Sequence, residues 1–162
     1  MDRLPPTPPA STPAIRTAMQ GNRRTGTGPE MAVRTMIHAA GLRYRVDAPV
    51  PLSSGKPVRP DLVFRKRRIC VFVDGCFWHR CPEHCRIPAA NRDYWEAKLL
   101  RNQQRDRRTT EALEEDGWTV IRAWEHDDPA SVAARVIQAV RDAPASSRTI
   151  TRPRSRPLRP AR

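Results

Sequence analysis

The sequence predicts an α/β fold in which a small mixed sheet is flanked by helices. Two observations lead to this prediction. Helical and strand periodicities follow one another in the order helix, three strands, helix, strand, helix, and turn residues separate most of these runs. No internal repeat interrupts the order, so the central part of the chain is expected to form one domain.

The first helix is predicted to follow Pro29, which suits a first helical turn, and to end at Gly41. Residues 42–46 alternate like an edge strand. Residues 60–64 and 69–73 then form a hairpin across a basic turn.

A long polar helix is predicted from Arg92 to Asp116, ending at Gly117, and a strand follows over Trp118–Trp124. The closing helix starts at Pro129. Its apolar side is formed by Val132, Val136 and Val140.

The chain carries 30 Lys and Arg against 17 Asp and Glu, a formal charge of +13. Residues 143–162 hold six of the arginines and no acidic residue, so removing them from the count leaves +7. This excess favours a polyanionic partner, with nucleic acid first. Charge does not separate a nuclease from a ribosomal or chromatin-like protein, so the motifs must decide.

Both ends are predicted to be disordered, because residues 1–16 are rich in proline and residues 143–162 alternate arginine with proline. The tail is either an arm that touches DNA phosphates or a solubilising segment. No apolar run approaches the length of a membrane span and no signal peptide is recognisable, so a cytosolic protein is expected.

Two carboxylates mark the hairpin as a candidate magnesium site. Asp61 opens one strand and Asp74 closes the other, so the two strands can bring oxygen ligands together. A divalent cation held there could orient a water and neutralise charge on a phosphodiester. The alternative is that Pro60-Asp61 only marks a turn at the entry to a strand.

Two aromatics and an imidazole follow the second strand in Phe77-Trp78-His79. Aromatic rings in a loop suit stacking against bases, and a wedge driven into a base step senses weak pairing. The alternative is packing in the core. An imidazole ordinarily titrates near neutrality, so His79 is a candidate general base, or else a zinc ligand.

The segment after these aromatics is rich in soft metal ligands, which suits a structural zinc ion better than disulfides. The favoured ligands are Cys76, Cys81, His84 and the more distant His126, with Cys85 as the main substitute. Cys70 lies within a strand and is interpreted as a small buried hydrophobe.

Several motifs occur together in one order along the chain and closely resemble the very-short-patch repair endonucleases. They are Asn22-Arg23-Arg24, Gly28-Pro29-Glu30, Pro60-Asp61-Leu62-Val63-Phe64, Val73-Asp74-Gly75-Cys76-Phe77-Trp78-His79, Arg105-Asp106-Arg107-Arg108, Gly117-Trp118-Thr119-Val120 and Ala123-Trp124-Glu125-His126. The resemblance runs from about Thr17 to His126.

The resemblance implies a fold like that of type II restriction enzymes, with residues 17–142 as the endonuclease domain. It also implies an enzyme that nicks double-stranded DNA 5′ to the thymine of a T:G mismatch left by deamination of 5-methylcytosine. A bacterial, cytoplasmic and nucleoid-associated monomer is expected, with mismatch-repair proteins as further partners.

The resemblance also assigns roles to individual residues. Asp61 and the backbone carbonyl of Val73 would hold Mg²⁺, His79 would be the base and Glu30 a supporting acid. Intercalating aromatics and zinc ligands complete the implied site: Phe77, Trp78 and Trp95 for intercalation, and Cys76, the segment after it and His126 for Zn²⁺.

The chain departs from the family at Val73-Asp74, where some members have Thr-His, and in the length of the ligand loop. The first departure leaves open whether Asp74 binds metal directly or through water, and the second leaves open the third zinc ligand. Three alternatives stay open: a restriction-type nuclease acting on matched DNA, a zinc-stabilised DNA-binding module without catalysis, and a basic RNA-binding protein.

Overall fold

The computed structural model describes Pro8 and residues 25–144. Its helices are α1 (Gly28–Ala39), α2 (Arg92–Glu115) and α3 (Pro129–Asp142). Its strands are β1 (Arg45–Val46), β2 (Leu62–Phe64), β3 (Ile69–Asp74) and β4 (Thr119–Trp124). The rest of the predicted leader, the tail beyond residue 144 and the motif Asn22-Arg23-Arg24 lie outside the described residues.

The four strands form one mixed sheet in the order β1-β2-β3-β4, which confirms the predicted α/β class. β2 pairs antiparallel with β1 and with β3, whereas β3 and β4 run parallel. A parallel pair needs a crossover connection, and the segment containing α2 supplies it. Because β3 and β4 are parallel, Asp74 and Trp124 lie opposite each other where both strands end.

Two apolar clusters cover opposite faces of the sheet, because successive strand residues point in opposite directions. One cluster joins α1 and α3 to the face formed by residues such as Leu62 and Val71. Their neighbours Val63 and Cys70 belong to the other cluster, which includes the end of α2. Cys70 is fully buried as predicted, and burial raises the pKa of its thiol to about 12.

The end of α1 explains why the first strand is shorter than predicted. Gly41 adopts a positive φ of 82°, its N–H donates to the His38 carbonyl at 3.0 Å, and the Leu42 N–H donates to the Ile37 carbonyl at 3.3 Å. This is the Schellman arrangement, which satisfies the last carbonyls of a helix. Leu42 therefore belongs to the helix stop, and only Arg45–Val46 enters the ladder.

The remaining boundaries differ from the predictions by one or two residues at most, except that the basic turn is a short 3₁₀ helix over Arg65–Arg67. Arg68 closes this turn in the left-handed conformation, with φ 52°. Within the described part of the chain, none of the helices combines the length and apolar character needed to cross a membrane.

Candidate active site and metal cluster

Asp61 lies immediately before β2 and faces the end of β3. Its Oδ2 accepts a hydrogen bond from the Val73 N–H at 2.7 Å. Burial is the main cause that raises the pKa of Asp61 to about 6, and the negative charges of Glu30 and Asp74 add to the rise. The hydrogen bond from Val73 and the charge of His79 oppose it. The carboxylate thus lies where its own negative charge is poorly accommodated, so a nearby positive charge would favour its ionised form.

Glu30 approaches Asp61 from α1, and only 2% of its surface is exposed. Its Oε2 accepts from the Gly26 N–H at 2.7 Å, and its Oε1 lies 3.3 Å from the Arg34 guanidinium. The first helix therefore contributes a buried, fixed carboxylate to the same region as Asp61.

His79 and Asp106 form a close pair between the loop after β3 and helix α2. The His79 Nδ1 lies 2.6 Å from the Asp106 Oδ2. Burial by itself would raise the pKa of Asp106, but the His79 hydrogen bond and the nearby charges of His79, Arg105 and Arg122 lower it overall. An ionised Asp106 that accepts from Nδ1–H leaves the other ring nitrogen of His79 as a proton acceptor.

Asp74 and Arg122 form a second pair beside the first. The Arg122 Nε and Nη2 lie 2.7 Å from the two carboxylate oxygens of Asp74, which is a bidentate arrangement. Asp74 Oδ1 also lies 3.3 Å from the His79 Nδ1. Both pairs line an open cavity of about 450 Å³ between α2 and the ends of β3 and β4.

Four soft ligands gather next to this centre, and they are the four favoured from the sequence. The donor atoms of Cys76, Cys81, His84 and His126 all lie within 4.8 Å of one another. The Cys76 Sγ is 3.0 Å from the His126 Nδ1, and the Cys81 Sγ is 3.8 Å from the His84 Nδ1. Donors around a tetrahedral zinc ion are separated by roughly 3.3–3.8 Å, so this donor set could hold a metal ion.

Cys85, the alternative ligand, is directed elsewhere: its Sγ lies 3.8 Å from the Phe77 carbonyl oxygen. The outer nitrogen of His126 faces carboxylates of Glu83 and Asp127 at 3.8 and 3.7 Å, as the second ring nitrogen of a metal-bound imidazole often does. The cluster also connects to the segment just after β4, because the Glu125 carboxylate accepts from the Cys76 N–H at 2.6 Å.

The three predicted intercalating aromatics lie together. Phe77 and Trp78 occupy a turn after β3 and contact each other at a centroid distance of 5.1 Å, and both contact Trp95 of α2, at 5.4 and 6.1 Å. None of them belongs to either core cluster, and Phe77 and Trp78 are only partly buried. The Lys98 ammonium lies over the rings of Trp78 and Trp95, at 5.4 and 5.2 Å.

Sequence reasoning missed the roles of Asp106 and Arg122. Asp106 was visible only as part of the run Arg105-Asp106-Arg107-Arg108 on a polar helix face, where an acidic residue is unremarkable. Arg122 carried a stronger signal, because it is the only charged residue of β4, between Ile121 and Ala123. Such an arginine needs a buried partner, but the sequence does not say which carboxylate supplies it.

Comparison with known proteins gives the site its context. Residues 10–86 match the family model described as DNA mismatch endonuclease Vsr. A type II nicking enzyme of Lentzea aerocolonigenes, V.NaeI, is 47% identical over 75% of this chain and 74% of its own length. A second nicking enzyme, V.NmeDIP of Neisseria meningitidis serogroup C, is 38% identical over 94% of this chain and 99% of its own.

A mismatch enzyme is also among the relatives. The DNA mismatch endonuclease Vsr of Escherichia coli is 35% identical over 102 residues, which cover 61% of each chain. The fold, the site and these matches together define the class of this protein, a DNA endonuclease that hydrolyses phosphodiester bonds. More closely, the chain belongs to the Vsr family of DNA mismatch endonucleases.

Proposed function

We propose that this protein is a magnesium-dependent endonuclease that nicks one strand 5′ to the thymine of a T:G mismatch and so initiates very-short-patch repair. The observation that carries this proposal is the pairing of His79 with Asp106 at 2.6 Å beside the partly buried Asp61. His79, which can accept a proton from water, and Asp61, whose carboxylate can bind a cation, then lie in one centre next to the aromatic cluster.

Asp61 and the backbone carbonyl of Val73 are the proposed magnesium ligands, with Glu30 as a supporting acid. Hard oxygen donors suit this ion, and its charge would favour the ionised form of Asp61, whose pKa is raised to about 6 mainly by burial and further by the charges of Glu30 and Asp74. When bound, the cation supplies Lewis acidity toward the phosphodiester and helps to orient the attacking water.

His79 is the proposed general base. Its Nδ1–H is donated to Asp106, which fixes the tautomer and leaves Nε2 to accept a proton from water. Asp106 then stabilises the imidazolium that forms, in the manner of the aspartate in a hydrolase triad. The phosphodiester is cleaved on one strand only, so a monomer is sufficient for the reaction.

The Cys76, Cys81, His84 and His126 cluster is the proposed structural zinc site. The cluster joins the loop after β3 to His126, which lies just beyond β4. One ion would therefore fix the segment that carries Phe77, Trp78 and His79. Four protein ligands leave no open coordination position, which is the property of a structural rather than a catalytic zinc.

The aromatic cluster of Phe77, Trp78 and Trp95 is the proposed mismatch sensor. Inserting rings into a base step costs unstacking energy, and a T:G pair yields more easily than a matched pair. Discrimination between mismatched and paired DNA would therefore come from the DNA's deformability as well as from direct contacts.

The proposal also covers the domain bounds, the fold of the core, the cellular location and the partners of the enzyme. Residues 17–142 would form the endonuclease domain with a core like that of restriction endonucleases, and the enzyme would act in the bacterial cytoplasm on nucleoid DNA, together with mismatch-repair proteins. Membership of a family of DNA endonucleases is evidence against two of the alternatives, the non-catalytic module and the RNA-binding protein.

A direct test follows nicking of two end-labelled duplexes, one with a single T:G mismatch and one fully paired. Each is incubated with magnesium or with EDTA, in several cytosine-methylation contexts. Magnesium-dependent nicking beside the mismatched thymine alone is expected. Nicking that needs no added cation would refute the assignment of Asp61.

A second candidate is a nicking enzyme that acts on fully paired DNA. It is favoured by the relatives that are called type II nicking enzymes, which share up to 47% identity with this chain. Equal nicking of the paired and mismatched duplexes would select this candidate. The hydrolytic centre would be the same in both cases.

A further inference from the structure

Arg122 is the centre of a polar network that joins β3, β4 and α2. It binds both oxygens of Asp74 at 2.7 Å, and its Nη1 reaches the Thr110 hydroxyl at 3.3 Å and the Asp106 carbonyl oxygen at 3.5 Å. The flat face of the guanidinium lies over the Phe72 ring, 4.7 Å from its centroid. One side chain therefore fixes the end of β3 to the middle of α2.

The Asp74–Arg122 pair is largely removed from solvent. The exposed fractions of the two side chains are 8% and 25%. Pairs on an open surface contribute little, whereas removing one partner of a buried pair leaves an uncompensated charge at a high cost. Asp74 is therefore expected to stay with Arg122 and not to exchange partners freely.

The same pair controls which carboxylate holds His79. The Nδ1 of His79 lies 2.6 Å from Asp106 and 3.3 Å from Asp74, so two acidic groups compete for one nitrogen. Arg122 holds Asp74 with two short hydrogen bonds and approaches the Asp106 carboxylate only to 3.9 Å. Asp74 is thereby occupied, and Asp106 remains the acceptor of the imidazole.

We propose that Arg122 is a positioning residue for DNA nicking, and that it keeps Asp74 out of the coordination sphere of the catalytic cation. Asp61 is then the carboxylate of the hairpin that holds the ion, while Asp74 serves to fix Arg122, α2 and His79 in place. This inference rests on the proposed function, because it assigns roles to Arg122 and Asp74 within the same proposed catalytic centre.

Binding of Mn²⁺, measured from the paramagnetic signal of the free ion, tests the inference without requiring any nicking. Asp61→Asn should lose the binding, which shows that the titration reports the intended site. Asp74→Asn should bind Mn²⁺ within twofold of the wild type. A tenfold or greater weakening in Asp74→Asn would make Asp74 a metal ligand and overturn the inference.

Nicking of the T:G duplex tests the positioning role. At saturating magnesium and duplex, Arg122→Met should lower kcat at least tenfold with duplex affinity within twofold, because His79 loses its fixed support. Arg122→Lys retains the charge without the bidentate geometry and should recover part of the rate. Arg141→Met removes an exposed arginine of α3 and should leave kcat unchanged.

The double variant Asp74→Asn/Arg122→Met provides the sharpest comparison. Loss of Arg122 alone frees a carboxylate 3.3 Å from the His79 Nδ1, and Asp74→Asn removes that competitor. The double variant should therefore nick at least threefold faster than Arg122→Met, and a double variant no faster would contradict the inference. If the wild type itself fails to nick, the proposed function is wrong, and the Mn²⁺ titration still decides the role of Asp74.

Discussion

Replacing Asp61 with asparagine tests the electrostatics of the site directly. Burial is the main reason why the pKa of Asp61 is about 6 instead of 3.8, and the charges of Glu30 and Asp74 contribute. In the wild type the Val73 N–H donates to the Asp61 Oδ2 at 2.7 Å. Asparagine has nearly the same shape as aspartate and retains an oxygen that can accept this hydrogen bond. We expect Asp61→Asn to abolish nicking and yet to stabilise the magnesium-free protein.

The magnitude follows from the raised pKa. A carboxyl group whose pKa is higher in the folded state contributes stability that is fully present below pH 3.8 and is lost as the pH rises through about 6. At pH 8 the folded wild type carries the whole cost of the buried charge, about 3 kcal/mol, which the asparagine variant lacks. At pH 5 the difference should fall to about half of that.

The assay is urea denaturation of wild type and variant at pH 8 and pH 5. The buffer should contain no magnesium and no chelator, so that any metal at the cysteine and histidine cluster stays bound in both proteins. Asp142→Asn, which removes an exposed carboxylate of α3, controls for the loss of one negative charge from a basic chain. Magnesium should then stabilise the wild type and leave Asp61→Asn unchanged.

An Asp61→Asn variant that is no more stable than the wild type at pH 8 would refute the reasoning. So would a gain that does not shrink between pH 8 and pH 5, because the mechanism ties the gain to ionisation of this one group. Either result would mean that Asp61 is solvated well enough to carry its charge without a cation.

Three further predictions address the other parts of the centre. Asp106→Asn should lower kcat by about 10² or more with unchanged DNA binding, since the amide no longer favours the required His79 tautomer; an unchanged rate in single-turnover nicking would exclude this role. Cys81→Ser should contain less zinc per chain than the wild type and unfold at a lower temperature, whereas Cys85→Ser should match the wild type in both measurements. Loss of zinc in Cys85→Ser and not in Cys81→Ser would make Cys85 the ligand. Trp78→Ala should reduce the ratio of nicking rates on T:G and paired duplexes, and a ratio equal to that of the wild type would exclude the sensor.

Much of the fold was predictable because its signals are local. Pro29 and Gly41 bracket the first helix and Pro129 opens the last, and the described structure starts and stops these elements within a residue or two of the predictions. The failures are also local in origin. The strand predicted from Leu42 begins at Arg45 because Leu42 completes the helix stop, a use of its N–H that hydrophobic alternation does not reveal.

The sequence by itself predicted the residues of the candidate site: the hairpin carboxylate Asp61, the histidine after two aromatics, and a ligand-rich loop with His126 at a distance. Residue type and spacing carry that information, because metals and bases accept few side chains. It left open whether His84 or Cys85 joins the cluster and what Asp74 does.

Only the tertiary structure decided the pairings. His79 meets Asp106 across 27 residues, and Asp74 meets Arg122 across 48, because the parallel register of β3 and β4 and the crossover through α2 bring them together. Burial then makes each pairing selective, since a charge removed from water must be matched by one partner. That selection among several acidic residues is a property of the folded geometry, and no spacing along the chain encodes it.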